Sequence, residues 1–305
     1  MPRTIRLVYS KDYVVDIGNH VSPTSKYNLI KERLLKEPLF RDRIEFVRPE
    51  PASDEDILSV HKKEYLDKLK KGSLSKEEIF RLKLPYSKAL VESSLICCGG
   101  TIKAAEIALS DKLGIHIGGG FHHAFPDHGE GLCVLNDIAV AIRSAMRKSK
   151  IKKALVVDCD LHHGNGTAAI FAGDPSVFTF SIHQENNYPY FKPRSNLDVG
   201  LRDRAGDKEY LGALHAHIPK IVSDFKPDII MYVAGADPFK DDRIGGLALT
   251  REGLTKRDEF VYKQALNFDV PIAVVLAGGY AFHEKDTVDI HYTTIVTGLN
   301  LFYKN

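Results

Sequence analysis

Residues 154–166 read Ala154-Leu155-Val156-Val157-Asp158-Cys159-Asp160-Leu161-His162-His163-Gly164-Asn165-Gly166, an apolar run that turns abruptly into acids, histidines and glycines. The run is too short for a helix and lacks alternation, the pattern of a strand buried on both faces. Working outward, similar runs recur at 5–9, 113–117, 177–182, 229–234 and 272–277. Amphipathic stretches with helical spacing separate them, at 25–36, 53–71, 87–109, 136–148, 207–224, 252–267 and 286–303. Such alternation predicts an α/β fold, a mostly parallel central sheet with helices on both faces in three layers. Ser53 and Asn136 are placed to cap helices, and Gly72 to end one. No Pro/Gly/Ser-rich linker divides the chain, so a single domain over 1–305 is expected.

Composition narrows the class. With 42 basic and 40 acidic residues the net charge is only +2, and no basic stripe suggests a nucleic-acid partner. No stretch has the length and apolarity of a membrane span, and the first residues lack the apolar segment of a signal peptide. Cys97, Cys98, Cys133 and Cys159 have mostly apolar neighbours and no metal-knuckle spacing. They suit buried thiols in a reducing compartment, and a cytoplasmic protein is expected. Nothing in the sequence fixes the oligomeric state.

The polar residues gather where the strands end. The run 113–117 leads to GGGFHHA, 154–157 to DCDLHHGNG, 229–234 to GADPF and 272–277 to GGY. In parallel sheets, loops at the carboxyl ends of the strands converge on one crevice. Asp158, Asp160 and His162 alternate along an extended chain and share a direction. Carboxylates so close need a cation or hydrogen-bond donors nearby, and mixed imidazole and carboxylate ligands suit zinc, with Asp237 as a third ligand. His122 and His123 supply candidate bases, and Tyr280 a donor for a developing oxyanion. A single Asp here would read as a helix cap and a single His as a core residue; four such clusters at the same end of a sheet read as a site.

Other features have plainer readings. His61 reads as packing on a helix boundary; His215 and His217 face different directions on one helix. The Lys62-Lys63 and Lys70-Lys71 pairs read as solvated surface. Gly99-Gly100-Thr101 lacks the lysine of a phosphate loop and suits close helix packing. His183 and Tyr188 follow the 177–182 strand toward the rim of the crevice.

Together, GGGFHHAF (118–125), DCDLHHGNG (158–166), AGADPF (234–239) with DRIGGL (242–247), and AGGY (277–280) resemble the zinc-dependent histone deacetylase family. That family has an arginase/deacetylase-like fold and includes acetoin-utilisation and acetylpolyamine-deacetylase relatives. The segment HVSPTSKYNLIKERL (20–34) resembles the family's opening, and the DRIGGL and GNG forms are closest to its class IV and prokaryotic branches. The resemblance implies one Zn2+ on Asp160, His162 and Asp237, with His122 and His123 acting on the attacking water and Tyr280 polarising the substrate carbonyl. It further implies that Asp158 backs His122 and that a structural K+ or Na+ lies among Asp158, Asp160, His162, Ser181 and Ile182. The expected reaction removes an acetyl or longer acyl group from an acylated amine, N-acyl-lysine first, acetylpolyamines or small metabolites second.

Two positions depart from the family's commoner pattern. Asn165 stands where many members have Asp backing the second histidine, which should leave His123 less basic. Leu132, in Gly131-Leu132-Cys133, stands where many have Phe on the substrate tunnel, so a bulkier acyl group should be tolerated. Gly131, Leu132 and Tyr188 are the expected pocket residues. An arginase-type two-manganese enzyme would favour Asp-x-His-x-Asp rather than the Asp-x-Asp-x-His found here. A non-catalytic acyl-lysine binding module would be expected to lack a ligand or the tyrosine, and none is lacking.

Overall fold

A computed structural model describes residues 3–18, 21 and 24–304. His20, Ser22 and Pro23 of the opening segment therefore lie outside the described residues.

The strands are β1 (Ile5–Val8), β2 (Ile44–Val47), β3 (Leu113–His116), β4 (Ala154–Asp158), β5 (Val177–Gln184), β6 (Leu197–Leu201), β7 (Ile229–Val233) and β8 (Ile272–Val275). The helices are α1 (Lys26–Leu34), α2 (Asp54–Leu58), α3 (Lys63–Lys71), α4 (Lys76–Leu82), α5 (Lys88–Asp111), α6 (Asp137–Arg147), α7 (Asn165–Ile170), α8 (Asp207–Phe225), α9 (Arg251–Asn267) and α10 (Glu284–Tyr303). One sheet of eight strands has the order β2-β1-β3-β8-β7-β4-β5-β6, and every pairing is parallel.

Period-two alternation divides the strand side chains between two cores. Leu155, Val157, Ile230, Tyr232 and Val274 pack on the side covered by α1, α8, α9 and α10. Val156, Met231, Val233, Ala273 and Val275 pack on the side covered by α3, α5 and α6. Gly99 lets α5 approach the preceding chain, since a β-carbon there would lie 1.8 Å from the Glu50 carbonyl oxygen. All four cysteines are free and buried. Among the described residues no helix is long and apolar enough to cross a membrane.

Topology positions the site. After β3 the chain skips two places to β4, runs outward through β5 and β6, and returns to fill the gap with β7 and β8. The four strands that end in reactive residues, β3, β8, β7 and β4, are thus consecutive in the centre of the sheet.

The structure differs from the sequence expectations in three places. Strands β2 and β6 lie at the sheet edges, where half-exposed, charge-bearing segments give no continuous apolar run. The stretch 53–71 is two helices, because the chain turns at 59–62 to bury His61. There the His61 ring bonds the Phe125 carbonyl through Nδ1 (3.0 Å) and accepts from the Asn136 amide at Nε2 (3.0 Å), tying the histidine loop to the start of α6. Short helices α4 and α7 were also missed, although Ser75 and Glu78 form a capping box at the start of α4.

Burial lowers the His61 pKa to about 4. Unfolded, the imidazole protonates near 6.5, so stability is complete above that pH and falls as the pH drops from 6.5 toward 4. His61→Gln should carry a constant cost but a shallower pH dependence in this window, by up to about 1.4 kcal/mol per pH unit. Urea melts of both proteins at pH 4.5, 5.5 and 7 measure the difference.

Candidate active site

The first wall of the site is the glycine loop after β3. Gly119 and Gly120 take φ values of +70° and +90°, and a β-carbon on Gly120 would lie 2.5 Å from the Cα of Ala277. Only glycine allows this close passage of the two loops. Asp137, buried at the start of α6, accepts from the amides of Gly120 (3.0 Å) and Phe121 (2.7 Å) and so fixes the direction in which the next two histidines leave the loop.

His122 Nδ1 bonds Asp158 Oδ2 at 2.7 Å, His123 Nδ1 bonds Asn165 Oδ1 at 2.6 Å, and the two Nε2 atoms lie 3.2 Å apart. Burial works against a charge on His122, yet the carboxylates of Asp158 and Asp160 prevail and raise its pKa to about 9. For His123, burial and the charges of His122 and His162 act together, and its pKa falls well below the ordinary value. The paired rings are thus driven toward different protonation states.

Asp160, His162 and Asp237 are buried, with one ligand atom from each within 4.8 Å of the others. His162 Nδ1 is 3.1 Å from both Asp160 Oδ1 and Asp237 Oδ2. Burial and the charge of Asp160 push the Asp237 carboxyl up, while burial resists the charge on His162 but the two acids raise it to about 10. Two carboxylates and one imidazole buried together fit a divalent cation, which satisfies all three groups. Gly278 donates to Asp160 Oδ2 (2.8 Å), and a β-carbon there would lie 2.2 Å from Asp237 Oδ2. Tyr280 follows on the same loop, its amide held by Asp242 Oδ2 at 2.7 Å and its ring 6.4 Å from that of His162. Burial, then the charges of Asp237 and Asp160, raise its pKa, keeping the hydroxyl a neutral donor.

Both His122 and Tyr280 open onto a cavity also lined by Gly131, Leu132, Cys133, Asp160 and His162. The Tyr188 ring stands edge-on to His123 at 5.1 Å, and Gly131 fits between them because a β-carbon there would lie 2.8 Å from each. Asp158 and Ser181 are paired in register across β4 and β5, with Ile182 next in the strand. His183 does not reach the rim. It bonds Ser181 Oγ (3.0 Å) and faces His163, whose Nε2 is 3.0 Å from Asp198 Oδ1. This second histidine-acid group ties the loop after β4 to β6, with His183 of β5 packed against it. His215 stacks on Phe260, outside the site.

Five residues in or around the site were not anticipated: Lys26, Glu130, Asp137, Asp242 and Arg257. Lys26 lines the cavity, donates to the Ala277 carbonyl (3.0 Å), and has its pKa lowered by burial to about 8 against the pull of Asp237 and Asp160. Asp242 belongs to the DRIGGL segment, whose role was unassigned. Arg257, fully buried on α9, donates to the carbonyls of Gly235 (2.6 Å) and Cys159 (3.3 Å) and pairs with Asp258. From behind, it ties the β4 and β7 loops that carry the acids. Arg257→Met leaves Asp258 buried without its countercharge and should cost about 3–5 kcal/mol. Denaturant melts of wild type and variant give that difference.

Fold and cluster together define an α/β protein with a candidate metal-dependent hydrolytic centre at the ends of its central strands. The chain belongs to the histone deacetylase family: the histone deacetylase domain matches residues 20–295. An uncharacterised protein of Picosynechococcus is 39% identical over 93% of this chain and 95% of its own length. Histone deacetylase 2 of Arabidopsis thaliana is 28% identical over 90% of this chain and 74% of its own. The acetoin utilization protein AcuC of Staphylococcus aureus is 28% identical over 83% and 72%. In fold, the HDA15 HD domain superposes with a TM-score of 0.79 over 98% of this chain and 89% of that one, at 21% identity. The chain is a hydrolase of the deacetylase class.

Proposed function

We propose that the chain is a zinc-dependent deacylase that removes acetyl or longer acyl groups from an acylated amine, N-acyl-lysine first. The observation that carries this reading is the convergence of His122, His123, Asp160, His162 and Tyr280 on one cavity also lined by Gly131 and Leu132; Tyr188, expected in the pocket, instead lines the neighbouring groove and meets the site through its ring contact with His123. Asp160, His162 and Asp237 would hold zinc, which when bound supplies Lewis acidity for the acyl carbonyl and the attacking water. Oxygens at Asp158, Asp160, His162, Ser181 and Ile182 would hold K+ or Na+ behind it.

His123, backed by an amide oxygen, keeps Nε2 unprotonated to take the proton of the attacking water and returns it to the leaving nitrogen. His122, backed by the Asp158 carboxylate, is favoured as the imidazolium and lends positive potential to the same space. Tyr280 donates its hydroxyl proton in a hydrogen bond to the carbonyl oxygen as negative charge builds there. Lys26 offers a cation for the released carboxylate. Four free buried thiols suit a reducing compartment, and we infer a cytoplasmic enzyme.

A panel of acetyl-, butyryl- and long-chain acyl-lysine peptides and acetylpolyamines, each with and without a hydroxamate chelator, tests the reading. Chelator-sensitive release of the acid from acyl-lysine peptides is expected. Turnover of acetylpolyamines alone would move the assignment to the small-amine branch, and binding without turnover of any probe would make the chain a reader module. Within the panel, Leu132→Phe should lower kcat/KM for the longer chains roughly 10-fold relative to acetyl, the low end of what one methylene is worth in an apolar pocket. An unchanged ratio removes Leu132 from acyl selection.

A further inference from the structure

Behind His123 the hydrogen bonds run on through Asn165 to a further residue, Glu130. Asn165 accepts from His123 through Oδ1 and donates through Nδ2 to Glu130 Oε1 at 2.7 Å. The same Glu130 oxygen accepts from the Tyr188 hydroxyl at 2.9 Å, and Glu130 Oε2 faces His128 Nε2 at 3.5 Å. Its backbone is fixed by reciprocal bonds with Cys133, Glu130 N to Cys133 O at 3.0 Å and Cys133 N to Glu130 O at 2.8 Å. Burial raises the Glu130 carboxyl, but the bonds from His128, Tyr188 and Asn165 outweigh it and hold the group below its ordinary range, as the acceptor-only carboxylate.

An asparagine amide can turn over and exchange its donor and acceptor ends at little intrinsic cost. Beside a carboxylate it cannot: turned over, Oδ1 would face the Glu130 oxygens. The amide nitrogen must point to Glu130 and the amide oxygen to His123, and a ring nitrogen facing an acceptor must carry its hydrogen. The proton then sits on Nδ1, and Nε2, 3.2 Å from His122 Nε2, is left without a hydrogen toward the cavity.

We propose that Glu130 is a positioning residue, which fixes the Asn165 amide and, through it, the His123 tautomer that the reaction needs, while anchoring Tyr188 by the same oxygen. The carboxylate that Asn165 replaces is in effect moved one residue outward. This inference rests on the deacylase reading, and its test has an arm that does not.

Glu130→Ala and Glu130→Gln are made in the wild type and in Asn165→Asp, and kinetics are read on the zinc-loaded enzyme with an N-acetyl-lysine peptide. In the wild type, Glu130→Ala should lower kcat about tenfold, the scale of a lost outer partner, with a smaller change in KM. Glu130→Gln, whose oxygen can still accept from Asn165, should retain more. In Asn165→Asp the sign should reverse: the new acid already orients His123 and stands beside Glu130 as a like charge, so Glu130→Ala should raise kcat there. An equal loss in both backgrounds, or no loss in either, overturns the proposal.

The independent arm is long-range 1H–15N correlation on histidine-labelled protein, with His123 assigned from His123→Gln. A single Nδ1–H tautomer is expected in the wild type and a mixture in Glu130→Ala. The same tautomer in both overturns the proposal. If no acyl substrate is turned over, the deacylase reading fails, while the tautomer measurement still decides the role of Glu130.

Discussion

Asp160→Ala should lower kcat/KM for an N-acetyl-lysine peptide by about 10^3-fold or more, equivalent to at least about 4 kcal/mol of transition-state stabilisation. Asp160 is central in three ways. One oxygen is 3.1 Å from His162 Nδ1, the other accepts from the Gly278 amide, and the carboxylate helps place charge on His122. Its removal takes one of the three groups whose ligand atoms lie within 4.8 Å of one another. Metal content should fall together with activity, and elemental analysis beside the kinetics checks both. A melting curve recorded with chelator present separates loss of metal from loss of fold. Retained turnover with Ala at position 160 would remove the metal from the chemistry proposed.

Tyr280→Phe should lower kcat about 10^2- to 10^3-fold with KM little changed, because the hydroxyl is worth most when negative charge has built on the carbonyl oxygen. Removing a donor from a preorganised site costs roughly 2.7–4 kcal/mol. The fold should tolerate this change: the backbone of Tyr280 is held by Asp242, and among the described residues its hydroxyl makes no hydrogen bond to the framework. Steady-state kinetics over the acyl-peptide panel distinguishes the cases. A change confined to KM would assign Tyr280 to the pocket wall instead.

The central fold was legible because strands buried on both faces write unbroken apolar runs. Val156-Val157 and Val274-Val275 leave no alternative at that length. Edge strands β2 and β6 contact the sheet on one side, so Glu45 and Asp198 are permitted within them and the run is broken. The split at His61 was hidden for another reason. A histidine that turns inward to bond Phe125 and Asn136, residues 64 and 75 positions away, looks locally like any residue on a helical boundary. The site shows the same division. Residues carried by strand ends, such as His122, Asp160, Asp237 and Tyr280, announce themselves by type and place. Asp137 and Arg257 hold those loops from helices, where an acid in the first turn or a basic residue mid-helix ordinarily means solvent. Asn165 was visible as a departure, but its partner Glu130 lies 35 positions away and becomes meaningful only when both face His123.

In the proposed mechanism one divalent metal on Asp160, His162 and Asp237 drives amide hydrolysis. Stepwise addition of zinc to chelator-stripped protein, with acetate release from an N-acetyl-lysine peptide measured at each step, tests it most directly. Activity should be absent at the start and rise in proportion to zinc, levelling at one equivalent per chain. Full activity in the stripped protein, or activity that requires two manganese ions per chain and hydrolyses a guanidinium compound instead, would contradict it.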